Sequence, residues 1–432
     1  MHENAVFSAQ LPDSSGNRSF PPPASEGTLL ISVVSSMGLI PIPNATVSIS
    51  YTGNPEQILA TYTTNESGQT SLITLPAPDV EYSLEPEQLV QPYSEYNIQV
   101  TAEGYSPVLI SGTEILAGEE ALQQIRMVPL ESNDTPSDDI VIPVHTLFGE
   151  YPPKIPEDEI KPMDESGEIV LSRVVIPEYI IVHDGAPSDP TAPNYYVRYK
   201  DYIKNVASSE IYATWPEAAI YANILAIQSF TLNRVYTEWY RNQGYDFTIT
   251  SSTAYDQKWI YGRNTFENID LLVDSIFANY LSRPGVRQPI FTSYCDGKRV
   301  SCSGLSQWGS KYLGDEGYSA IEIIRYYYGN DMYINTADSI EGVPSSWPGY
   351  NLTIGSSGEK VRQVQEQLNR IARNYPAIPS ITADGIYGQR TADAVRTFQG
   401  IFDLPQTGII DYSTWYEISD IYVGVSQISE PD

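Results

Sequence analysis

The run AAIYANILAIQSFTLNRVYTEWY, at positions 218–240, limits the possible folds of this chain more than any other feature. A helix made of it is apolar on nearly every side, and such a helix is stable only when other elements cover all of its faces. The preceding residues, Thr214-Trp-Pro-Glu217, fit a capping box with the proline in the first turn. The pattern therefore predicts a helix buried at the centre of a domain.

An acidic residue falls on the apolar side of the preceding helix. Tyr199, Ile203, Val206 and Ala207 have helical spacing, and Glu210 lies on the same stripe. Burial raises the pKa of a carboxyl group, and an acid that stays protonated near neutral pH suits general acid catalysis on a glycosidic oxygen. The alternative is a structural glutamate at a helix end, facing solvent or a core arginine.

Other patterns divide the chain into further units. Up to about Leu130, short runs such as ATVSISYTG and YNIQVTAEGY alternate with turn signals and predict a β-sandwich. Near the C-terminus, two apolar helical stripes and a third helix start predict a three-helix module. We therefore expect a multidomain α+β protein: a disordered segment at 1–26, a β-sandwich at 27–130, an acidic linker at 131–194, a central α+β unit at 195–340 and a helical module at 350–425.

The linker is acidic and interrupted by prolines, and it contains Lys154, Lys161 and Arg173. An exposed strip with a few basic residues is a place where a protease can cut. The alternative is a plain spacer between domains.

Charge and composition exclude some classes of function. Residues 1–173 carry 25 acidic and 5 basic residues, a net charge of −20, and the rest carry 29 and 19, a net charge of −10, which together give the −30 of the whole chain. Nothing here would neutralise phosphates, so a nucleic-acid partner is not expected. No stretch is long enough to span a bilayer, and the first residues have neither the basic nor the apolar region of an ordinary signal peptide.

Cysteine and histidine are scarce. Cys295 and Cys302 flank a segment with an Asp-Gly turn, so they either pair across a hairpin or remain two free structural thiols. The three histidines, His2, His145 and His183, are too dispersed for a histidine-based triad or zinc site. Carboxylate chemistry is therefore expected.

Four blocks follow one another in the central unit: NVASSEIYATWP, AAIYANILAIQSFTL, GLSQWGS and GYSAIEIIRYYYG. With these blocks residues 195–335 resemble the SpoIID/LytB family of peptidoglycan lytic transglycosylases. The resemblance implies that Glu210 is the catalytic glutamate, a single acid/base that protonates the bridging oxygen. The same carboxylate would then take the proton of the C6 hydroxyl of N-acetylmuramic acid, which closes a 1,6-anhydro ring. Ordinary glycoside hydrolases usually need two carboxylates.

The sequence departs from the family pattern at several positions. The helix arginine of the family is Gln228 here, a loop histidine is Ser301, and a His-Cys pair that belongs to a zinc site in some members is Tyr255-Asp256. We therefore predict no metal and no cofactor, and Asp256 is either a second carboxylate or a turn-forming residue. Trp308 is expected to pack or to stack on a sugar. The predicted substrate-binding set is Gln228, Tyr255, Asp256, Gln257, Ser306, Gln307 and Trp308.

Two accessory units also carry resemblances. GSSGEKVRQVQEQL, DGIYGQRTADAVRTFQ and DLPQTGIIDYSTW resemble the type 1 peptidoglycan-binding domain, which implies wall binding near Asp384, Tyr387 and Trp415, although the tryptophan is alternatively part of the core. The predicted sandwich, with TNESGQTSL, resembles carboxypeptidase-regulatory-like accessory domains.

The combination of units resembles the spore cortex-lytic enzymes, which are made as zymogens and activated by subtilisin-like proteases. It implies peptidoglycan of the spore cortex as substrate, a location in the cortex or coat region or the cell wall, and a propeptide that ends near Arg173. One alternative is a non-catalytic peptidoglycan-binding scaffold. Another is an amidase that cuts the bond between N-acetylmuramic acid and L-alanine, although such enzymes usually need zinc with histidine ligands.

Overall fold

The computed structural model describes residues 25–36, 39–87, 89–130, 138–161, 171 and 173–426. Most of the segment predicted to be disordered, 1–26, and residues 131–137 and 162–170 of the predicted linker lie outside these ranges. Within them the chain forms eight α-helices and several β-sheets, which confirms the expected mixed α+β class.

The N-terminal unit consists of two sheets that share one apolar core. Alternating residues point into it, and Leu29, Ile31 and Val33 of the first strand are fully buried. One sheet has the strand order β3-β2-β5-β6-β8 and the other contains β7-β1-β4. The strands are β1 Ser25–Ser35, β2 Thr46–Tyr51, β3 Ile58–Thr63, β4 Ile73–Ala77, β5 Ser94–Thr101, β6 Val108–Ile115, β7 Glu120–Met127 and β8 Asp138–Val141.

The central unit surrounds one buried helix with four others. Its helices are α1 Tyr199–Glu210, α2 Glu217–Tyr236, α3 Glu267–Ile276, α4 Gln307–Asp315 and α5 Ala320–Tyr328. Short strands join them: β9 Val175–Ile176, β10 Tyr179–His183, β11 Asn194–Arg198, β12 Ile249–Thr250, β13 Thr265–Phe266, β14 Asn279–Ser282, β15 Tyr294–Cys295, β16 Leu305–Ser306, β17 Tyr333–Thr336 and β18 Ser339–Ile340.

Helix α2 occupies the centre of this unit, as its sequence predicts, and it contacts α1, α4, α5 and β14. The predicted capping box at its start is wrong. Pro216 is the N-cap residue and offers no side-chain hydrogen bond, while the Thr214 hydroxyl lies 2.8 Å from that of Ser83 in the sandwich. The Thr214 side chain therefore contacts the sandwich instead of capping α2.

Two described parts of the predicted linker form strands that belong to the neighbouring units. Strand β8 joins the sandwich beside β6, and β10 pairs with β11 and β12, so the central unit begins near Val174 rather than at residue 195. Between β8 and the central unit, residues 145–161 have no regular secondary structure and lie across the surface of the central unit. We call these residues the strap.

The C-terminal module contains α6 Glu359–Ile371, α7 Gln389–Ile401 and α8 Tyr412–Ser426. It packs against the rest of the chain through a buried lysine. The Lys200 ammonium of α1 lies 2.7 Å from Glu417 and 2.8 Å from Asp420 of α8. Tyr375 also donates a hydrogen bond to the Leu39 carbonyl of the sandwich, so the module contacts both other units. No helix within the described ranges is both long and apolar enough to cross a membrane.

Candidate active site

Glu210 is the last residue of α1, and its side chain is fully buried. The four stripe residues of α1 that precede it are buried as well, because this face of the helix packs into the unit. Its Oε1 accepts a hydrogen bond from the Lys258 backbone N–H at 2.7 Å. Its Oε2 accepts one from Gln307 Nε2 at 3.3 Å.

Two short parallel strands bring α4 to this carboxylate. Strands β15 and β16 pair Tyr294 with Leu305 and Cys295 with Ser306, and a disulfide joins Cys295 to Cys302 beside them. Ser306 is the N-cap of α4, and its hydroxyl accepts the Gly309 N–H at 2.9 Å. The side chain of the next residue, Gln307, then faces Glu210. Ser306 therefore influences the site indirectly, because it fixes the start of α4 and with it the position of Gln307.

Tyr294 is the neighbour of Glu210 that sequence reasoning missed. It is buried, and the charge of Glu210 contributes to raising the pKa of its hydroxyl well above the ordinary range, after burial itself. Gln307 Oε1 has no hydrogen-bond partner among the described residues, and the Tyr294 hydroxyl has none except the Glu210 carboxylate, whose pKa it lowers. One unsatisfied polar atom, Gln307 Oε1, therefore lies close to the carboxylate, where a ligand or water can satisfy it.

Burial raises the pKa of Glu210 above the usual carboxyl value. Four groups act in the opposite direction: the Lys154 ammonium, the Lys258 N–H, the Tyr294 hydroxyl and the Gln307 amide. Desolvation dominates because the whole side chain is removed from water. The carboxyl group therefore tends to hold its proton, as a general acid must.

The strap covers this site in the full-length chain. Its Thr146 N–H points to the Ser209 carbonyl at 3.4 Å, next to Glu210, and the His145 ring stacks on Tyr212 with 4.4 Å between centroids. Tyr151 is buried, and after its burial the charge of Glu210 is the largest influence that raises the pKa of its hydroxyl. The strap therefore packs against the residues that surround Glu210.

Lys154 places a cation inside the site. Its ammonium donates a hydrogen bond to the Asp256 carbonyl at 3.1 Å and lies 3.9 Å from the centre of the Tyr294 ring. Burial lowers the pKa of Lys154 to about 8, although Glu210 and Asp256 partly offset this. The sequence suggested that Lys154 was an exposed protease site, and this is wrong because the strap packs it inward.

Two carboxylates, Glu157 and Glu159, hold the rest of the strap in place. Glu157 accepts two hydrogen bonds from the buried Arg234, at 2.7 and 2.8 Å, and also one from Lys161 at 2.6 Å. Glu159 pairs with Arg283, and its carbonyl accepts the Phe291 N–H at 2.8 Å. Lys161 is thus packed as well, whereas Arg173 is exposed and remains a candidate cleavage position.

Asp256 is a structural residue rather than a second catalytic carboxylate. It is fully buried and accepts hydrogen bonds from Arg234 Nε, the Tyr240 hydroxyl, and both the N–H and the hydroxyl of Thr250, at 2.7–2.9 Å. These contacts fill its acceptor sites and pair its charge.

The remaining predicted substrate contacts do not converge on Glu210. Gln257 is buried with its amide saturated by Tyr202, Thr231 and the Ile227 carbonyl, and Tyr255 offers its carbonyl to Arg234. Gln257 is therefore a core residue that holds α1, α2 and the following loop together.

Gln228 and Trp308 are buried in α2 and α4. Trp308 packs on Trp215, with 4.9 Å between ring centroids, which favours the packing alternative. Both amide atoms of Gln228 are buried without a hydrogen-bond partner among the described residues. Gln228 is thus an unsatisfied neutral amide in the interior of the central unit.

Within the described ranges, no group of three or more His, Cys, Asp or Glu side chains is arranged to hold a metal ion. His183 stacks on Phe247 and lies 2.8 Å from Asn194 Oδ1 through Nδ1. Burial lowers the pKa of His145 well below its usual value. Both residues are structural.

Two of the three residues predicted for wall binding belong to the core of the C-terminal module. Trp415 is buried and donates to the Ser345 carbonyl, and Tyr387 is buried and donates to the Gly408 carbonyl. The structure thus favours the core alternative for Trp415 and places the Tyr387 side chain in the core as well. Asp384 is exposed, but its Oδ1 accepts hydrogen bonds from Gln365 and the Ile386 N–H, which shape the loop.

A family model described as "Putative peptidoglycan binding domain" matches residues 357–418, which include α6 and α7 and the start of α8. The chain thus has a peptidoglycan-binding domain near its C-terminus, and its partner is peptidoglycan of the cell wall or cortex. No curated protein matches the chain.

Several solved structures overlap parts of the chain. The SleB N-terminal domain is 27% identical over 18% of this chain and 99% of its own, with a TM-score of 0.16. The Bacillus anthracis TIE protein is 18% identical over 24% of this chain and 17% of its own, with a TM-score of 0.17. Acinetobacter catechol 1,2-dioxygenase is 16% identical over 28% of this chain and 59% of its own, with a TM-score of 0.18. These partial overlaps carry no functional argument.

Proposed function

We propose that this protein is a peptidoglycan lytic transglycosylase made as a zymogen. The observation that carries the proposal is Glu210, a fully buried carboxyl group of raised pKa that faces Gln307 in a chain with a peptidoglycan-binding domain. The order of its units resembles that of SleC, a spore cortex-lytic enzyme of spore-forming anaerobes that subtilisin-like proteases activate. We therefore propose spore cortex peptidoglycan as substrate and germination as the occasion.

In the proposed reaction Glu210 donates its proton to the glycosidic oxygen as the bond to C1 of N-acetylmuramic acid breaks. The ionised carboxylate then accepts the proton of the C6 hydroxyl, whose oxygen attacks C1 and closes the 1,6-anhydro ring. Proton and charge balance without water or a second carboxylate, in keeping with the structural role of Asp256. Gln307 and the Tyr294 hydroxyl hold the carboxylate in orientation, and Gln307 Oε1, which has no partner among the described residues, is the atom proposed to bind the sugar.

The zymogen form is supported by the strap. Residues 145–161 fill the approach to Glu210 with Tyr151 and Lys154 and are anchored by Glu157 and Glu159. A cut near Arg173 is a necessary step in this scheme, since the strap belongs to the N-terminal side of such a cut.

The experiment compares residues 174–432, freed from the cut full-length chain in mild denaturant and returned to buffer, with the same preparation carrying Glu210→Gln. Each is incubated with purified cortex and with vegetative wall, and mass spectrometry identifies the released sugars. Anhydro-ended products from the parent alone are expected. Reducing-end products would instead indicate hydrolysis and would contradict the single-acid scheme.

A second candidate function, a non-catalytic peptidoglycan-binding scaffold, is favoured by the unsatisfied Gln228 and by the closed site of the full-length chain. Binding to peptidoglycan without release of any sugar, from a preparation with native circular dichroism, would support it over the enzyme.

A further inference from the structure

The boundary between the sandwich and the central unit is built as a continuous sheet. Strand β13 of the central unit pairs antiparallel with β7, with Thr265 opposite Leu122 and Phe266 opposite Ala121. The sheet therefore runs β13-β7-β1-β4 across the two units. Without β13, this end of β7 would be an open edge, which readily accepts another strand.

A buried ion pair lies beside this strand pairing. Arg263 donates to both carboxylate oxygens of Glu114, at 3.0 and 2.6 Å, and both side chains are almost wholly removed from solvent. Arg263 also donates to the Ser208 carbonyl at 2.9 and 2.7 Å, two residues before Glu210. Separation of the units would leave each charge without its partner, which is strongly unfavourable unless water reaches both.

Neutral hydrogen bonds complete the boundary. The Asn264 amide bonds the backbone of Glu114 in both directions, at 3.0 and 3.1 Å. Gln123 donates to the Gly262 carbonyl at 3.0 Å, and Trp215 Nε1 donates to the Ser83 carbonyl at 3.0 Å. These contacts are buried and directional, as in the interior of one domain rather than at a transient interface.

The strand pairing, the Arg263–Glu114 pair, the neutral hydrogen bonds of the boundary and the bonds of the strap to Asp256, Arg234 and Arg283 all join residues 25–161 to residues 174–426. None depends on the chain being continuous between them. We propose that the two parts form a complex that persists after the connecting chain is cut, so that the N-terminal fragment becomes a bound inhibitor subunit.

This inference rests on the proposed zymogen for its functional consequence, but the complex can be measured without any activity. A single cut near Arg173 would leave the strap over Glu210. Activation would then require a second event, either removal of residues 145–161 by further proteolysis or release of the whole N-terminal fragment.

The test uses the full-length chain with a specific protease sequence inserted between residues 165 and 166. After complete cutting, the protein is run on a size-exclusion column at about 100 nM, where a complex of nanomolar affinity stays assembled. Elution of both fragments in one peak, at the position of the uncut 48.0 kDa chain, is expected. Two separate peaks from the cut wild type would overturn the proposal.

Glu114→Ala serves to test the cause of retention, with Glu103→Ala, an exposed glutamate of the same unit, as the matched control. In the cut protein, Glu114→Ala is expected to speed dissociation at least about tenfold, as for loss of a buried hydrogen-bonded charge pair, and Glu103→Ala to leave it unchanged. If uncut Glu114→Ala melts far below the wild type, Asn264→Ala replaces it. Equal dissociation of wild type, variant and control would contradict the assigned boundary.

Sugar release is measured on the cut complex and on the separated C-terminal fragment. An inactive complex and an active fragment support an inhibitor subunit. Equal activity of the two, with one elution peak, would overturn the inhibitory role. Absence of activity in both would count against the proposed enzyme, whereas the elution result would still decide whether the complex persists.

Discussion

At the scale of single residues, the environment of Glu210 explains why a carboxyl group can lie on the apolar face of a helix. It is fully buried, yet each oxygen has a hydrogen-bond donor and the Lys154 charge is nearby. These contacts reduce the cost of burial without cancelling it, since the net direction of the pKa is upward. The folded chain thus keeps a carboxyl group whose ionisation is unfavourable at the position where the proposed reaction needs a proton donor.

The first prediction concerns the pH dependence of stability. Because the pKa of Glu210 is raised in the folded chain, its stabilising contribution is complete below the ordinary carboxyl pKa and is lost as pH rises through the folded pKa. Glu210→Gln should therefore raise the Tm of the full-length chain at pH 8, by about 2–4 °C for each kcal/mol recovered, and much less at pH 4. The unpartnered Gln307 Oε1 can rotate to accept the new amide.

Thermal scans by circular dichroism at both pH values measure this, with Glu103→Gln as an exposed control that should show no pH-dependent change. A lower Tm for Glu210→Gln at pH 8 would contradict the prediction.

A second prediction concerns the pair Lys154 and Glu210. The lysine lowers the pKa of the glutamate, so Lys154→Met should leave ionised Glu210 with less compensation, and Glu210→Gln should then stabilise more than it does in the wild type. The coupling should be about 0.5–3 kcal/mol at pH 7. It should fade as pH rises past the lysine pKa of about 8, where the ammonium becomes neutral.

Denaturant unfolding of the four members of this double-mutant cycle measures the coupling. A parallel cycle of Lys154→Met with Glu103→Gln should be additive within about 0.5 kcal/mol. Additivity of the first cycle as well would show that the two charges do not interact.

At the scale of elements, the site depends on short segments that lack strong patterns of their own. Strands β15 and β16 have two residues each, but they place Tyr294 beside Glu210 and start α4 at Gln307. Their close approach requires Gly304, because a Cβ at this position would overlap the Ser293 carbonyl. Helix α4 is thus positioned by backbone contact rather than by an apolar stripe.

Gly304→Ala should therefore force β15 and β16 apart and displace Gln307 from Glu210. We expect a loss of about 1–3 kcal/mol in the free energy of unfolding, as for other overpacked interiors, together with loss of the proposed activity in the freed C-terminal fragment. Gly388→Ala is the matched control, since a Cβ there meets nothing within 4 Å. Equal effects of the two substitutions in denaturant unfolding would contradict this role of Gly304.

At the scale of the whole molecule, the three units are joined by contacts that resemble domain interiors. The sandwich shares a sheet with the central unit, and the peptidoglycan-binding module is held by Lys200 and by the Tyr375 hydrogen bond to Leu39. The module's aromatic residues Trp415 and Tyr387 are committed to its core. Wall binding must therefore use other residues on its exposed loops.

Ile354 and Ile386 are candidates for this surface. They are 55% and 59% exposed and lie in adjoining loops, joined by the Ser357–Ile386 bridge and the hydrogen bond from Gly355 to Tyr387. Exposed apolar residues in neighbouring segments often mark a binding surface. Ile354→Ser with Ile386→Ser should lower retention of the full-length chain on insoluble peptidoglycan about tenfold, which corresponds to about 1.4 kcal/mol, with unchanged Tm.

Co-sedimentation with purified peptidoglycan checks this, and Ile40→Ser, a similarly exposed isoleucine of the sandwich, is the control. Unchanged sedimentation of the double variant would assign wall binding to another face of the module.

Local patterns were sufficient for the elements whose own residues specify them. The apolar run of α2, the stripe of α1 with Glu210, the alternating strands of the sandwich and the helices of the C-terminal module could all be predicted, because burial of a face leaves a periodic record in the sequence. Glu210 itself was predicted as a buried acid from that periodicity, and the peptidoglycan-binding domain from its motifs.

Only the tertiary structure decided what surrounds these elements. In the sequence, Lys154 and Tyr151 belong to a proline-rich stretch that predicts a solvated linker. In the structure they lie close to Glu210, because Arg234 and Arg283, which are distant in sequence, hold the strap in place. Aspartate and tryptophan are common in binding sites, but Asp256 and Trp415 are core residues here, because Arg234 and Ser345 respectively hold their side chains in the interior. Periodicity reports which side of an element is covered, whereas the identity of the covering residues is set by long-range packing, which leaves no local trace.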